Sequence, residues 1–226
     1  EVTEHPYESE KRVIIIDNAE TMNIETANAL LKTLEEPPPF NHFFMITSSE
    51  REIPMTIRSR CMRIPFSQLS RVQLERYFID RAGVNPEHAI SLSSISFGSI
   101  GGGLFWLNQP NFLLRAELAE LLCGRKRGFV MTSFVAENVS LAEKNVSMYL
   151  TFLLSFFRDL FVKRMAEDVS SIINKDLEDM LNETEGSLEW IETSIKRIQE
   201  TIRIIRYNVN RWLIFENLLI QITGNR

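Results

Sequence analysis

The fold class predicted for this chain is α/β plus all-α: a partial parallel-sheet unit followed by helices only. Three observations carry that prediction. Two apolar runs, Val13-Ile14-Ile15-Ile16 and Phe43-Phe44-Met45-Ile46, flank a segment with apolar residues at helical spacing. From Ser67 onward, helical spacing replaces strand-like runs. Toward the C-terminus, Leu188, Ile191, Ile195, Ile198, Ile202, Ile205, Val209 and Leu213 recur every three or four residues, the stripe of a core-facing or partner-facing helix.

The elements follow in order. Val13 to Ile16 is a β-branched run ending in Asp17, and its unbroken hydrophobicity predicts a strand buried on both faces. Ile24, Ala27, Leu30, Leu31 and Leu34 predict a helix, with Asn23 as its N-cap and Pro37-Pro38-Pro39 as its stop. Phe43 to Ile46 gives the second buried strand, so the three pieces form a βαβ unit with parallel strands. Met62 to Phe66 reads as a third short strand, with Met62 and Ile64 inward and Arg63 outward. Three short helices come next, Gln68 to Ala82, Pro86 to Ser94 and Ser99 to Asn108, and Pro110 marks a boundary. Longer amphipathic helices are expected around Phe112–Cys123, Ser140–Glu167 and Gly186–Ile222. The sequence contains neither repeats nor low-complexity tracts.

Composition excludes several classes of function. With 44% hydrophobic and 24% charged residues the 226-residue chain has the balance of a globular protein with a real core. The net charge of −5 provides no basic field to hold a nucleic acid, although a local patch or a place beside DNA within a larger complex stays open. Two distant cysteines, Cys61 and Cys123, form neither a disulfide framework nor a zinc site within this chain, as expected of reduced thiols in a cytoplasmic protein. The most apolar stretch, Val146 to Phe157, is too short to span a membrane, and no signal-peptide pattern opens the chain. The first residue is Glu1 rather than Met, so an N-terminal part is expected to have been removed.

Among candidate chemistries, Asp17 sits at the C-terminal tip of a strand, where phosphate-handling α/β folds hold Mg²⁺. An ATPase of that kind needs a second acid beside it to orient the attacking water. The neighbour here is Asn18, which cannot accept a proton. A GxxxxGK motif followed by Ser or Thr is absent from the chain, and Gly101-Gly102-Gly103 lacks both the preceding strand and the following Lys. His5, His42 and His88 are scattered, with no HExxH, and no GxSxG elbow occurs. Glu35-Glu36, at a helix end, read as solvated rather than as an acid–base pair. That leaves MTIRSRCMRI, with Arg58, Arg60 and Arg63. A guanidinium supplied by one subunit can stabilise charge on a phosphate held by another, provided that it stands on an exposed edge of a rigid scaffold. Most loop arginines are only surface charges.

The block ANALLKTLEEPP (Ala27 to Pro38), then FFMITS, then TIRSRC, strongly resembles the AAA+ clamp-loader subunits of bacterial DNA polymerase III. The match runs from about Pro6 to Phe66, and Ser59-Arg60-Cys61 is the family's signature triplet. The resemblance implies three domains: residues 1–66 as the C-terminal part of an AAA+ domain, 67–109 as a three-helix lid, and 110–226 as a helical collar for oligomerisation. It further implies that Arg60 is an arginine finger acting in trans, flanked by Ser59 and Cys61. Thr47 and Ser48 fall at the family's first sensor position, and a zinc module precedes this region in relatives.

Two kinds of subunit share the pattern. The gamma/tau ATPase carries Asp-Glu at the strand end and an arginine following Gly-Ser-x in the lid. Here the corresponding residues are Asp17-Asn18, and Gly98-Ser99-Ile100 is followed by Gly101. Both departures resemble the delta-prime type, which lacks a working ATP site. The ending YNVNRWLIFENLLIQI resembles the delta-prime collar terminus as well. That type implies no cofactor in this chain, with ATP–Mg bound by neighbouring subunits. It also implies gamma/tau and delta as partners, the sliding clamp and primed DNA reached through the complex, and no membrane. A shortened gamma/tau-type ATPase and a purely structural assembly module remain the alternatives.

Overall fold

The computed structural model describes residues 6, 9–141, 146–165, 171–205, 207 and 210–224. His5, Glu167 and Val209, on which the sequence reading drew, lie outside them. The chain divides into two compact units, Glu1–Phe66 and Ser67–Arg226.

In the first unit, strands β1 (Arg12–Ile16) and β2 (Asn41–Met45) run parallel, in register from Arg12 beside Asn41 to Ile16 beside Met45. Helix α1 (Ile24–Glu35) connects them, and the short helix α2 (Met55–Arg58) follows β2. Asn23 caps α1 as expected, its side chain accepting from the Thr26 N–H at 2.7 Å. Ala19, Ala27, Ile53 and Ile57 form the buried centre, with Ile16, Leu31, Leu34 and Met45 packed around it.

Two expectations are corrected here. The strands are covered on one face only: Val13, Ile15, Phe44 and Ile46 stay 51–64% exposed while Ile14, Ile16, Phe43 and Met45 are half-buried. Helices α1 and α2 lie on the same core as the inner face, and among the described residues of this unit nothing shields the outer one. The second concerns Met62 to Phe66, which forms no strand. A strand needs a ladder partner, and the sheet has two members. Met62, Ile64 and Phe66 are consequently 85%, 59% and 93% exposed rather than inward.

The second unit is helical throughout its described residues. It begins with α3 (Arg71–Asp80), α4 (Pro86–Ile95) and α5 (Ile100–Leu107), each started by a side-chain cap from Ser70, Asn85 and Ser99. Ser70 and Gln73 complete a reciprocal capping box. There follow α6 (Gln109–Cys123), α7 (Phe129–Leu141), α8 (Val146–Met165), α9 (Glu178–Glu183), α10 (Leu188–Ile204) and α11 (Arg211–Gly224). Pro110 lies inside the first turn of α6 rather than before it, where its missing N–H costs nothing. Helix α7 is additional to the helices that the sequence predicts, and its FVMTSFV segment is helical although rich in the aromatic and β-branched residues typical of strands. Ser140, from which the long helix is expected, belongs to α7, and of that long helix the described part is α8, with residues 142–145 and Glu167 outside the described residues.

The helix expected over Gly186–Ile222 is two. Helix α10 stops at Ile204, and Asn210 starts α11 by accepting from the Leu213 N–H at 3.2 Å. One hydrophobic cluster runs from Leu74 and Phe78 of α3 to Ile222 of α11, so residues 67–109 and 110–226 share a core. Trp106 of α5 bridges them, edge-on to Tyr149 of α8 with ring centres 5.4 Å apart. Among the described residues no single helix is long and apolar enough to cross a membrane.

Candidate functional site

The residues singled out in the sequence gather at two places in the first unit. One is the end of α2. Ile57 is 1% exposed and roots this one-turn helix in the core beside α1. The chain then winds tightly onward: Ser59 N–H donates to Met55 O at 2.9 Å, Arg60 N–H to Ile57 O at 3.0 Å, and Cys61 N–H to Arg58 O at 3.3 Å. The Ser59 hydroxyl donates to Thr56 O at 3.1 Å, taking up one of the carbonyls that a helix end leaves free. The turn thus brings the Arg60 side chain back over its own helix.

Arg60 is held by two close contacts, with the Ser59 Oγ a longer third at 3.5 Å from its Nη1. Its Nη1 donates to Thr56 O at 2.8 Å, and its Nη2 donates to Glu35 Oε1 at 2.5 Å. The side chain is 34% exposed and that of Glu35 50%, so the pair lies at the surface. Neighbouring arginines differ. Arg63 is 71% exposed and meets only the Glu50 carboxylate in an ion pair, at 3.1 Å. Arg58 is half-buried, with its Nε lacking a hydrogen-bond partner. Cys61 is a free, exposed cysteine, and burial around its sulfur pushes the thiol above its ordinary value, away from a reactive thiolate.

The second place is the loop after β1. Asp17 is exposed, and its Oδ1 accepts from the Asn18 N–H at 2.9 Å. Asn18 takes the left-handed conformation (φ 50°), which asparagine tolerates better than most residues. Its carbonyl accepts from both the N–H and the hydroxyl of Thr21. The next residue ties this loop to the end of β2, Ala19 N–H donating to Ile46 O at 2.9 Å.

Glu20 then reaches the expected sensor position. Its Oε1 accepts from the Ser48 hydroxyl at 2.7 Å and from the Ser48 N–H at 3.3 Å. Burial raises the carboxyl pKa, but hydrogen bonds from Ser48 and Thr47 outweigh it and hold the group at about 2. The Thr47 hydroxyl also accepts from the Ser49 N–H at 3.0 Å. Asp17, Asn18, Thr47 and Ser48 are therefore one neighbourhood, and an internal carboxylate occupies its hydroxyl. Gly101 belongs to the second unit, in the first turn of α5.

Among the described residues no group of three or more His, Cys, Asp or Glu side chains could hold a metal ion. Two participants escaped the sequence reading. Glu35, which the sequence alone reads as solvated beside Glu36, pairs with Arg60, and Glu20 meets Ser48. Neither has a local signal, because their partners lie 25 and 28 residues away.

Comparison with known proteins gives the site its context. Residues 1–70 match the family model described as DNA polymerase III, delta subunit. DNA polymerase III subunit gamma/tau of Mycoplasma genitalium is 34% identical over 113 residues, covering 48% of this chain and 19% of that protein. The Bacillus subtilis tau subunit is 29% identical over 215 residues, 91% of this chain and 37% of that one. The delta-prime subunit of Pseudomonas aeruginosa is 26% identical over 223 residues, 93% of this chain and 65% of that one. Among solved structures, a Bacillus subtilis DNA clamp loader delta protein is 12% identical, with 99% of this chain and 81% of that one covered at a TM-score of 0.31. The chain spans 19%, 40% and 37% of the first three curated relatives. Over these spans the chain is similar to gamma, tau and delta-prime subunits of DNA polymerase III.

Proposed function

We propose that this chain, related as it is to DNA polymerase III subunits, works as the delta-prime-type member of a clamp loader. In this reading it hydrolyses no ATP itself. It is a stator that assembles with gamma/tau and delta subunits in the cytoplasm, and it helps to place the sliding clamp on primed DNA. Residues 1–66 serve as part of an AAA+ domain, 67–109 as the lid, and 110–226 as the collar through which the subunits assemble.

One observation carries the reading: Arg60 stands at the exposed end of a helix rooted by Ile57, while Asn18 replaces the second acid that hydrolysis needs. A guanidinium so placed suits the ATP–Mg site of a neighbouring subunit, where it would stabilise the charge of the transferring phosphoryl group. Ser59 helps to close the turn that presents it. Glu20, seated on Ser48, adds support, because a carboxylate there disfavours a triphosphate.

The test is Arg60→Ala in the reconstituted loader. Loss of such a finger lowers turnover by roughly 10³–10⁵ in the cleanest cases, and by less where several fingers act together. DNA-stimulated ATP hydrolysis should fall while assembly persists. Unchanged hydrolysis in a fully assembled complex would sink the finger and leave the purely structural module. The gamma/tau-type ATPase is favoured by the 34% identity over 113 residues. ATP–Mg titration of this subunit separates it, since the delta-prime reading expects no saturable binding.

A further inference from the structure

We infer that Glu35 is the positioning residue for Arg60, an inference that rests on the finger reading above. An ordinary surface ion pair does little, because two long side chains remain free to separate in water. This pair is built differently. The Arg60 guanidinium is fixed by acceptors from two elements, the Thr56 carbonyl of α2 and the Glu35 carboxylate at the end of α1. Both elements are anchored in one core, α2 by Ile57 and α1 by Ala27, Leu31 and Leu34. Two fixed points on different elements set both the place and the plane of the guanidinium. Arg63, by contrast, meets only the Glu50 carboxylate in an ion pair and is 71% exposed.

The chemistry needs that arrangement. A guanidinium has five N–H donors, and the two bonds to Glu35 and Thr56 use two of them. Nη1 also lies 3.5 Å from the Ser59 Oγ of the same turn, and the donors beyond these remain for phosphate oxygens. A finger that arrives already ordered does not have to lose its rotamer freedom at the moment of reaction, when an interaction counts most. Glu35 also cancels part of the positive charge, so its removal has two opposed effects: misplacement slows the reaction, while the freed charge would favour phosphate. The two-point anchoring makes misplacement the larger.

The experiment uses the whole protein assembled with its partner ATPase subunits, with assembly verified for each variant by size-exclusion chromatography. Glu35→Ala, Glu35→Gln, Arg60→Ala and the Glu35→Ala/Arg60→Ala pair are compared by kcat and KM for DNA-stimulated ATP hydrolysis. Glu35→Ala should lower kcat on the order of tenfold with little change in KM, as for an interaction expressed in the transition state. Glu35→Gln, which keeps an acceptor oxygen, should recover most of that loss. With Arg60→Ala already present, Glu35→Ala should do nothing further. Glu35→Ala turnover equal to or above wild type, or the same additional loss on top of Arg60→Ala, overturns the inference while leaving the finger intact. Arg60→Ala without effect overturns both readings together.

Discussion

The Arg115 guanidinium, 1% exposed, donates to both carboxylate oxygens of Asp176, at 2.5 and 3.1 Å. Its Nη2 also reaches Asn174 Oδ1 at 2.7 Å, and the Phe152 ring centre lies 4.9 Å from its central carbon. Four groups thus fasten the segment before α9 to helices α6 and α8. Arg115 is buried while the Asp176 side chain is 23% exposed, so it is loss of the carboxylate that strands a buried charge, and Asp176→Ala should cost about 3–5 kcal/mol. Replacing both partners, as Arg115→Met with Asp176→Leu, should cost much less. Urea denaturation followed by circular dichroism measures both, and equal losses would contradict this account.

The three adjacent glycines of α5 make a sharper contrast. A Cβ on Gly103 would lie 2.5 Å from Ser96 Oγ and closer still to the Phe78 ring, whereas one on Gly101 meets only Ser99 Oγ at 3.7 Å. Gly103→Ala should therefore destabilise the second unit by about 1–3 kcal/mol through overpacking. Gly101→Ala should stabilise it by about 0.5–1 kcal/mol through helix propensity. Thermal melts of the two variants should move in opposite directions.

Glu20 imposes a pH dependence. Its carboxyl sits at about 2 in the folded protein against an ordinary 4.5, so across that window the unfolded chain binds more protons. Stability from this group is present above about 4.5 and is lost as the pH falls toward 2. In Glu20→Gln the difference from wild type should shrink as the medium is acidified through that range. A constant difference at every pH would assign the loss to packing instead.

Arg63 is the control for Arg60. Its exposed pair with Glu50 predicts that Arg63→Ala changes stability by less than about 0.5 kcal/mol. It should also leave DNA-stimulated hydrolysis in the assembled complex at the wild-type level. A loss matching that of Arg60→Ala would mean that positive charge, rather than the placement of one guanidinium, is what matters.

Local spacing is a sufficient guide where neighbours in sequence decide the outcome. The strand–helix–strand order, the Asn23 cap and the Ser99 start are of this kind, because strand pairing aside they depend on periods of two and 3.6 and on a side chain three residues from its partner. Where covering surfaces decide, spacing misled. VIII and FFMI read as doubly buried, yet each alternates between a half-buried and an exposed face. FVMTSFV, strand-like in composition, became α7, since packing against α6 and α11 outweighs a weak intrinsic preference.

The sequence by itself determined the strand–helix–strand order of the first unit and the change to helices after Ser67, and its resemblance singled out Arg60 and Asn18. Only the tertiary structure decided that Glu35 fixes Arg60, that Glu20 occupies Ser48, and that Arg115 meets Asp176. The reason is physical. Helical and strand periods are written in adjacent residues, but which charges meet depends on the path by which the chain returns, and that path is set by the core as a whole.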